Sequence, residues 1–262
     1  MNKDKLKKLA NDPRLISGIY NYCDRWCERC PFTSRCLNFA MGEEDGDNPE
    51  LQDHNSDVFW QRFESSLGLA MELLTELAEK QGIDLNETDD DETITHQEER
   101  NRQAAESHEI SRAAKEYIKL ADSWFKKSRR LFKERQHDMK TELKMGLGIK
   151  KVLREADSIV DVTEVIGWYQ HQIYIKIIRA FMGSDLEEWE DELQNDSNGS
   201  AKVALIGIDR SIAAWAKLID HFPEQSDNIL DLLLHLDRLR KKTEKIFPKA
   251  RAFKRPGFDK PI

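Results

Sequence analysis

The chain has 262 residues, a net charge of −8 and charged side chains at 34% of its positions. Its 12 glycines, 7 prolines and mean hydropathy of −0.71 exclude collagen and disfavour a β-sandwich. The sequence has no apolar run long enough to cross a bilayer, and its basic N-terminus lacks the apolar core of a secretory signal. We therefore expect a cytoplasmic protein without a membrane partner.

The first predicted elements surround a cluster of cysteines. Asp12 and Pro13 have the order of an N-cap followed by a first-turn proline, which predicts a helix that runs to about Arg29. A proline then stops the helix, and a second short helix is expected to end near Met41. Residues 1–42 are thus predicted to form a helical hairpin.

The rest of the chain is predicted to form long amphipathic helices, because apolar residues recur at intervals of three and four. Acidic stretches at 83–95 and 184–200 are expected to be linkers inside a bundle that spans 56–247, and the basic tail 248–262 is expected to dock on it. No alternating strand pattern competes. The sequence therefore predicts an all-α fold, an antiparallel helical bundle of about five main helices with an N-terminal cysteine-rich helical hairpin. The predicted helices cover residues 56–81, 96–145, 150–181, 201–222 and 224–247.

All four cysteines of the chain lie in one short segment with the spacing C-x3-C-x2-C-x5-C: Cys23, Cys27, Cys30 and Cys36. On a helix the first three thiols would project from one face, and the fourth would return from the next helix. Four converging thiolates are the ligand set of tetrahedral Zn²⁺ or of a [4Fe–4S] cluster. Two disulfides are disfavoured in a cytoplasmic chain of this size. The segment is therefore predicted to be a metal site.

The spacing leaves the identity of the metal open. Only Cys27 and Cys30 have the separation of a zinc knuckle, whereas the Cys30–Pro31 step is typical of ferredoxin motifs. The C-x3-C-x2-C triplet that begins at Cys23 resembles the cluster motif of radical SAM enzymes. That resemblance implies a partial (β/α) barrel, and the sequence predicts no strands to build one. Zinc is placed first for its general abundance, with [4Fe–4S] as the alternative.

A second metal site is considered on the helix predicted at 150–181. Glu164 and His171 lie on one stripe of that helix with two aspartates, and carboxylates with histidine can bind metal in helical bundles. The motif of the di-iron bundles is not complete, because glycine stands at the third position after Glu164. The alternative interpretation is a polar helix face.

The basic residues are unevenly placed. Residues 126–154 hold eleven Lys and Arg against three acids, and residues 238–260 hold ten against two. Such segments either pair with the acidic segments of the same fold or form a groove for nucleic acid.

The sequence therefore predicts a cytoplasmic helical binding or adaptor protein with a structural zinc site and an unidentified protein partner. An iron–sulfur protein in electron transfer, redox sensing or a redox reaction is the first alternative. A nucleic-acid-binding protein that uses the two basic segments is the second. No phosphate loop or nucleophile motif is present, so the sequence assigns no catalytic residue and leaves enzymatic activity open.

Overall fold

The computed structural model describes residues 3–43, 48–51, 53–83, 92–183 and 191–259. These residues contain eight α helices and no strand, so the predicted all-α class is confirmed. None of the helices in these ranges is both long and apolar enough to span a bilayer. The helices are α1 (Lys3–Ala10), α2 (Leu37–Glu43), α3 (Asp57–Gln81), α4 (Glu92–Ser107), α5 (Glu109–Lys144), α6 (Ile149–Met182), α7 (Asp196–His221) and α8 (Ser226–Ile246).

The chain divides into two compact units. The cysteine unit comprises residues 1–98 together with residues 255–262, and the bundle unit comprises residues 99–254. Two parts of the chain were expected elsewhere. Helix α3 was predicted inside the bundle, and the whole tail 248–262 was predicted to dock on it, but α3 and the end of the tail belong to the cysteine unit.

The bundle unit is built from α5 to α8, in which each helix packs against the next and α8 packs against α5. Side-chain pairs show that α5 and α6 are antiparallel. Arg135 pairs with Glu155 close to the connecting turn (2.8 Å), and Asp122 accepts a hydrogen bond from Gln170 farther from it (3.2 Å). The turn itself contains Gly146, where the sequence predicted a hinge.

Aromatic side chains fill the centre of the bundle between α5 and α7. The indole N–H of Trp215 donates to the hydroxyl of Tyr117 (2.9 Å), and both residues are fully buried. Trp124 packs edge to face on Trp215 (4.9 Å between ring centroids), and Phe132 contacts Phe222 in the same way (4.9 Å). Burying a side chain of this kind contributes about 2 to 3 kcal/mol. These contacts advance in the same direction along both helices, as expected for diagonal helices of an up-and-down bundle.

The predicted helix 96–145 is two helices. His108 separates α4 from α5, and its imidazole Nδ1 accepts a hydrogen bond from the backbone N–H of Ile110 (3.3 Å). A side-chain acceptor at this position satisfies an N–H group that the new helix leaves without an intrahelical partner. The break is therefore a helix cap.

The predicted linker 184–200 is shorter than expected. Helix α7 begins at Asp196, where Asn195 caps it by accepting a hydrogen bond from the N–H of Asn198 (2.8 Å). Its first turns are buried, and small and amide side chains pack there. A linker would instead expose long polar side chains. Residues 184–190 lie outside the described part of the chain, as do residues 84–91 of the first predicted linker.

Candidate metal centre

The cysteine segment is built from turns, and the predicted helix from Pro13 to Arg29 is wrong. Asp12 accepts a hydrogen bond from the N–H of Arg14 (2.9 Å) as a cap would, but no helix follows. Gly18 adopts a left-handed conformation (φ 70°), and so does Arg25 (φ 58°), which interrupts a helix. The residues between them include Asn, Tyr, Cys and Asp, which are weak helix formers.

One short 3-10 helix, Cys27–Arg29, stands at the end of the predicted long helix, and another, Thr33–Arg35, lies in the segment predicted as the second short helix. The N–H of Cys30 donates to the carbonyl oxygen of Cys27 (3.1 Å), so these two cysteines lie at the ends of one tight turn. The N–H of Phe32 donates to the sulfur of Cys30 (3.4 Å). The Cys27–Cys30 turn therefore has features of a zinc knuckle.

All four cysteines line one small cavity, of about 20 Å³. Each side chain is half-buried, and none of the four cysteines is in a disulfide. The thiol of Cys23 donates to the carbonyl oxygen of Tyr20 (3.5 Å). The remaining walls are largely apolar and include Ile19, Trp26, Phe39 and Phe258. A cavity of this size holds one water-sized occupant or one ion.

The pKa of the Cys27 thiol responds to the other three cysteines. Burial raises the pKa of the Cys27 thiol, and the negative charge of Cys23, Glu28, Cys36 and Cys30 raises it further. A thiolate at Cys27 is therefore disfavoured until a cation offsets the charge of its neighbours.

The thiols do not yet meet at one point. Across the described ranges, no group of three or more Cys, His, Asp or Glu side chains is arranged to hold a metal ion. A cysteine sulfur moves by rotation about a single bond between staggered positions. The structure thus brings the four predicted ligands to one cavity without presenting a finished coordination sphere.

Two of the arginines beside the cysteines have specific partners. The guanidinium of Arg29 lies over the indole ring of Trp26, 4.1 Å from its centroid. The Nε of Arg35 donates to the backbone carbonyl of Arg14 (3.2 Å). Neither partner was predicted from the sequence. Arg29 combines a positive charge with an aromatic shield at the edge of the cavity.

The C-terminal residues complete the site, which the sequence did not lead us to expect. The ring of Phe258 packs edge to face on Phe32 (5.1 Å between centroids) and lines the cysteine cavity. The guanidinium of Arg255 lies 4.7 Å from the Phe258 ring centroid and pairs with Asp259 (3.3 Å). The tail was predicted to place this phenylalanine on the bundle. The Pro-Gly-Phe order at 256–258 was the available signal, since it marks a tight turn before an aromatic side chain.

The second predicted metal site lies on the exposed surface of α6. Glu164 and His171 are both exposed on α6. The Nε2 atom of His171 lies 3.1 Å from the amide nitrogen of Gln170. No described residues add a third ligand to them. The carboxylate–histidine site stays a prediction.

Basic segment 238–260 is largely engaged within the fold, and in segment 126–154 Arg130 and Arg135 pair with glutamates. Arg251 pairs with Asp209 (2.6 Å) and Glu244 (2.8 Å), and Lys242 pairs with Glu109 (2.6 Å). Phe132 of segment 126–154 and the preceding Trp124 and Phe125 pack on Trp215 and Phe222 inside the bundle. These rings are therefore not presented to a nucleic-acid base. These contacts agree with solvated and ion-paired helix faces.

Comparisons with protein-family models, with curated proteins and with solved structures found no match. The function is therefore inferred from the chemistry and geometry of the residues themselves.

Proposed function

We propose that this chain is a helical binding protein whose cysteine unit is held together by one Zn²⁺ ion on Cys23, Cys27, Cys30 and Cys36. The observation that carries the proposal is the convergence of all four cysteines on one small cavity. Among the described side chains of residues 3–42, Ile19 alone is buried, so this part of the fold gains little from apolar packing. Metal binding would supply the missing free energy of folding.

The Cys27–Cys30 turn favours zinc. The turn has knuckle spacing and directs a backbone N–H at the Cys30 sulfur. A [4Fe–4S] cluster is the alternative that the experiment below distinguishes.

A structural role fits the donor set better than a catalytic one. Zinc sites that act on a substrate keep one coordination position for water, while four cysteine ligands close the sphere. The aromatic rings of Trp26 and Phe258 stand beside the cavity and limit the access of water. We therefore assign no catalytic step to the site, and the binding activity is sought on the helical surface.

The same site supports a cytoplasmic location. Four cysteines without a disulfide persist in a reducing compartment and would be oxidised to disulfides in most secreted proteins. Location in the cytoplasm is thus part of the proposal.

Elemental analysis of protein purified without air tests the metal. We expect about one zinc per chain, with no visible absorption. Replacement by Co²⁺ should give the intense visible bands of tetrahedral thiolate coordination. About four irons per chain with matching sulfide, and a broad visible band, would show that the site holds a [4Fe–4S] cluster and not zinc. Neither metal in the protein would refute the site.

Two variants separate the ligands from the cavity wall. Cys30→Ser should lose most of the bound zinc, because one of four ligands is removed. Asn38→Ser changes a residue that lines the same cavity without supplying a sulfur, so it should keep its zinc. Equal zinc content in the two variants would contradict ligation by Cys30.

A further inference from the structure

Helix α3 carries an exposed apolar stripe. The exposed fraction is 54% for Trp60, 49% for Phe63 and 52% for Leu67, and Leu74 and Leu77 are similarly exposed. Monomeric proteins rarely expose a continuous apolar surface of this kind unless it binds something. The stripe was predicted to form part of the bundle core, and none of the described residues of the cysteine unit covers it.

The stripe has the spacing of a coiled-coil seam. Apolar residues follow one another at alternating intervals of three and four over three heptads: Trp60, Phe63, Leu67, Ala70, Leu74 and Leu77. This a/d pattern is the one that packs a helix along a second helix, knobs into holes. The required partner is therefore a helix at least as long as the stripe.

The opposite face of α3 is already occupied. Lys3 of α1 pairs with Glu72 (2.7 Å) and Glu76, and Lys7 of α1 pairs with Glu76. On a helical wheel these glutamates point away from the seam. Helix α1 therefore contacts the polar face of α3 and leaves the seam available.

The seam is complementary to itself when two copies are antiparallel. If Leu67 of one copy faces Ala70 of the other, the same register places Phe63 against Leu74 and Trp60 against Leu77. Every layer then combines a larger with a smaller side chain, and the helix dipoles oppose each other. A parallel pair would crowd two Trp60 rings at one end and leave a gap between two Ala70 methyl groups.

We propose that α3 is a homodimerisation helix, and that its seam binds the seam of a second copy of this chain in antiparallel register. The five large seam side chains, together with Met71, which is 58% exposed on the same face, present roughly 600 Å² of apolar surface per copy, taking typical side-chain areas. Two copies would bury about 1,200 Å², the lower limit for a specific stable interface. The proposal goes beyond the zinc site and does not depend on it.

The oligomeric state of the full chain tests the proposal. Light scattering or sedimentation equilibrium should give about twice the chain mass of 30.6 kDa at concentrations up to about 100 µM. Leu67→Lys and Ala70→Glu should each shift the protein to monomer, with at least a tenfold weaker association. The matched control is Leu230→Lys on α8, because Leu230 has the same exposed fraction as Leu67, 52%. This control variant should remain dimeric.

Mixing Leu67→Lys with Ala70→Glu tests the register. In an antiparallel dimer, the lysine introduced in one variant would face the glutamate introduced in the other, so the mixture should associate although each variant alone does not. A parallel dimer would place neither charge opposite the other. Circular dichroism of each variant verifies that α3 remains folded.

Three results would overturn the proposal. They are a monomeric wild-type chain at 100 µM, a dimer that survives both seam substitutions, and monomeric variants whose mixture stays monomeric.

Discussion

Phe32 and Phe258 lie edge to face with their ring centroids 5.1 Å apart, although one follows the third cysteine and the other is close to the C-terminus. The contact joins two segments of the cysteine unit that are distant in sequence. A site that is closed in this way is complete only when the segment of Phe258 has docked on the cysteine segment. Metal retention should therefore depend on residues far from the cysteines in sequence.

The first prediction concerns Phe258. Phe258→Ala should remove one wall of the cavity and destabilise the cysteine unit by about 1 to 2 kcal/mol, since the ring is half-buried. We expect a chelator to remove zinc several times faster from this variant than from the wild type. Lys254→Ala, which changes a nearby tail residue outside the cavity, is the control. Equal rates of zinc release for Phe258→Ala and wild type would show that the tail does not close the site.

The second prediction concerns the turn that positions this ring. Gly257 has φ 76°, and an added Cβ would lie 2.9 Å from the terminal carbons of both Ile16 and Ile19. Gly257→Ala should therefore lower the stability by about 1 to 2 kcal/mol because of the left-handed backbone. The steric clash should add a further loss. Thermal unfolding of the zinc-loaded protein measures the loss.

Gly82 provides a matched control for the steric part. It has nearly the same backbone angle (φ 69°) in the same unit, but an added Cβ would meet nothing within 4 Å. Gly82→Ala should show only the backbone cost. If both variants lose the same stability, the packing of Ile16 and Ile19 against the turn contributes nothing.

The sequence predicted the helices better than it predicted the site. Periodic apolar spacing identifies an amphipathic helix because its cause is local, and it placed α3 and the bundle helices correctly. The same spacing does not show what covers the apolar face, so the exposure of the α3 stripe was not predicted. The cysteine spacing predicted that the thiols lie together, and they line one cavity, but the predicted helix is absent because Gly18 and Arg25 adopt left-handed conformations. The Phe32–Phe258 contact depends on long-range packing, which has no local signal.

The third prediction concerns the ion pairs between α5 and α6. Arg135 donates to Glu155 (2.8 Å) and to Glu142 (2.9 Å), and the hydrogen bonds from Arg135 hold the pKa of Glu155 below its usual range. A carboxyl whose folded pKa is lowered stabilises the protein above its unfolded pKa, and this contribution is lost as the pH falls through the folded value. Arg135→Gln should therefore lose about 1 kcal/mol at pH 7 and less at pH 4.

Urea unfolding at the two pH values measures this difference. Arg130→Gln is the control, because Arg130 makes an exposed contact with Glu134 (3.4 Å) on its own helix. A loss of stability in Arg135→Gln that is independent of pH would indicate a packing role for this side chain.

The fourth prediction concerns His221, at the end of α7. Its Nε2 lies 2.8 Å from the hydroxyl oxygen of Ser158, and burial lowers the pKa of this imidazole below 6.5. The folded state therefore favours the neutral ring, so lowering the pH through 6.5 protonates the unfolded chain first and destabilises the fold. His221→Gln keeps a hydrogen-bonding group but does not titrate, so its stability should fall less between about pH 7.5 and pH 5.5. Urea unfolding midpoints measure the effect, and His171→Gln, at an exposed histidine of α6, should behave like the wild type. An equal acid sensitivity in His221→Gln and wild type would assign the pH dependence to other groups, and the burial of His221 would then have no energetic consequence in this range.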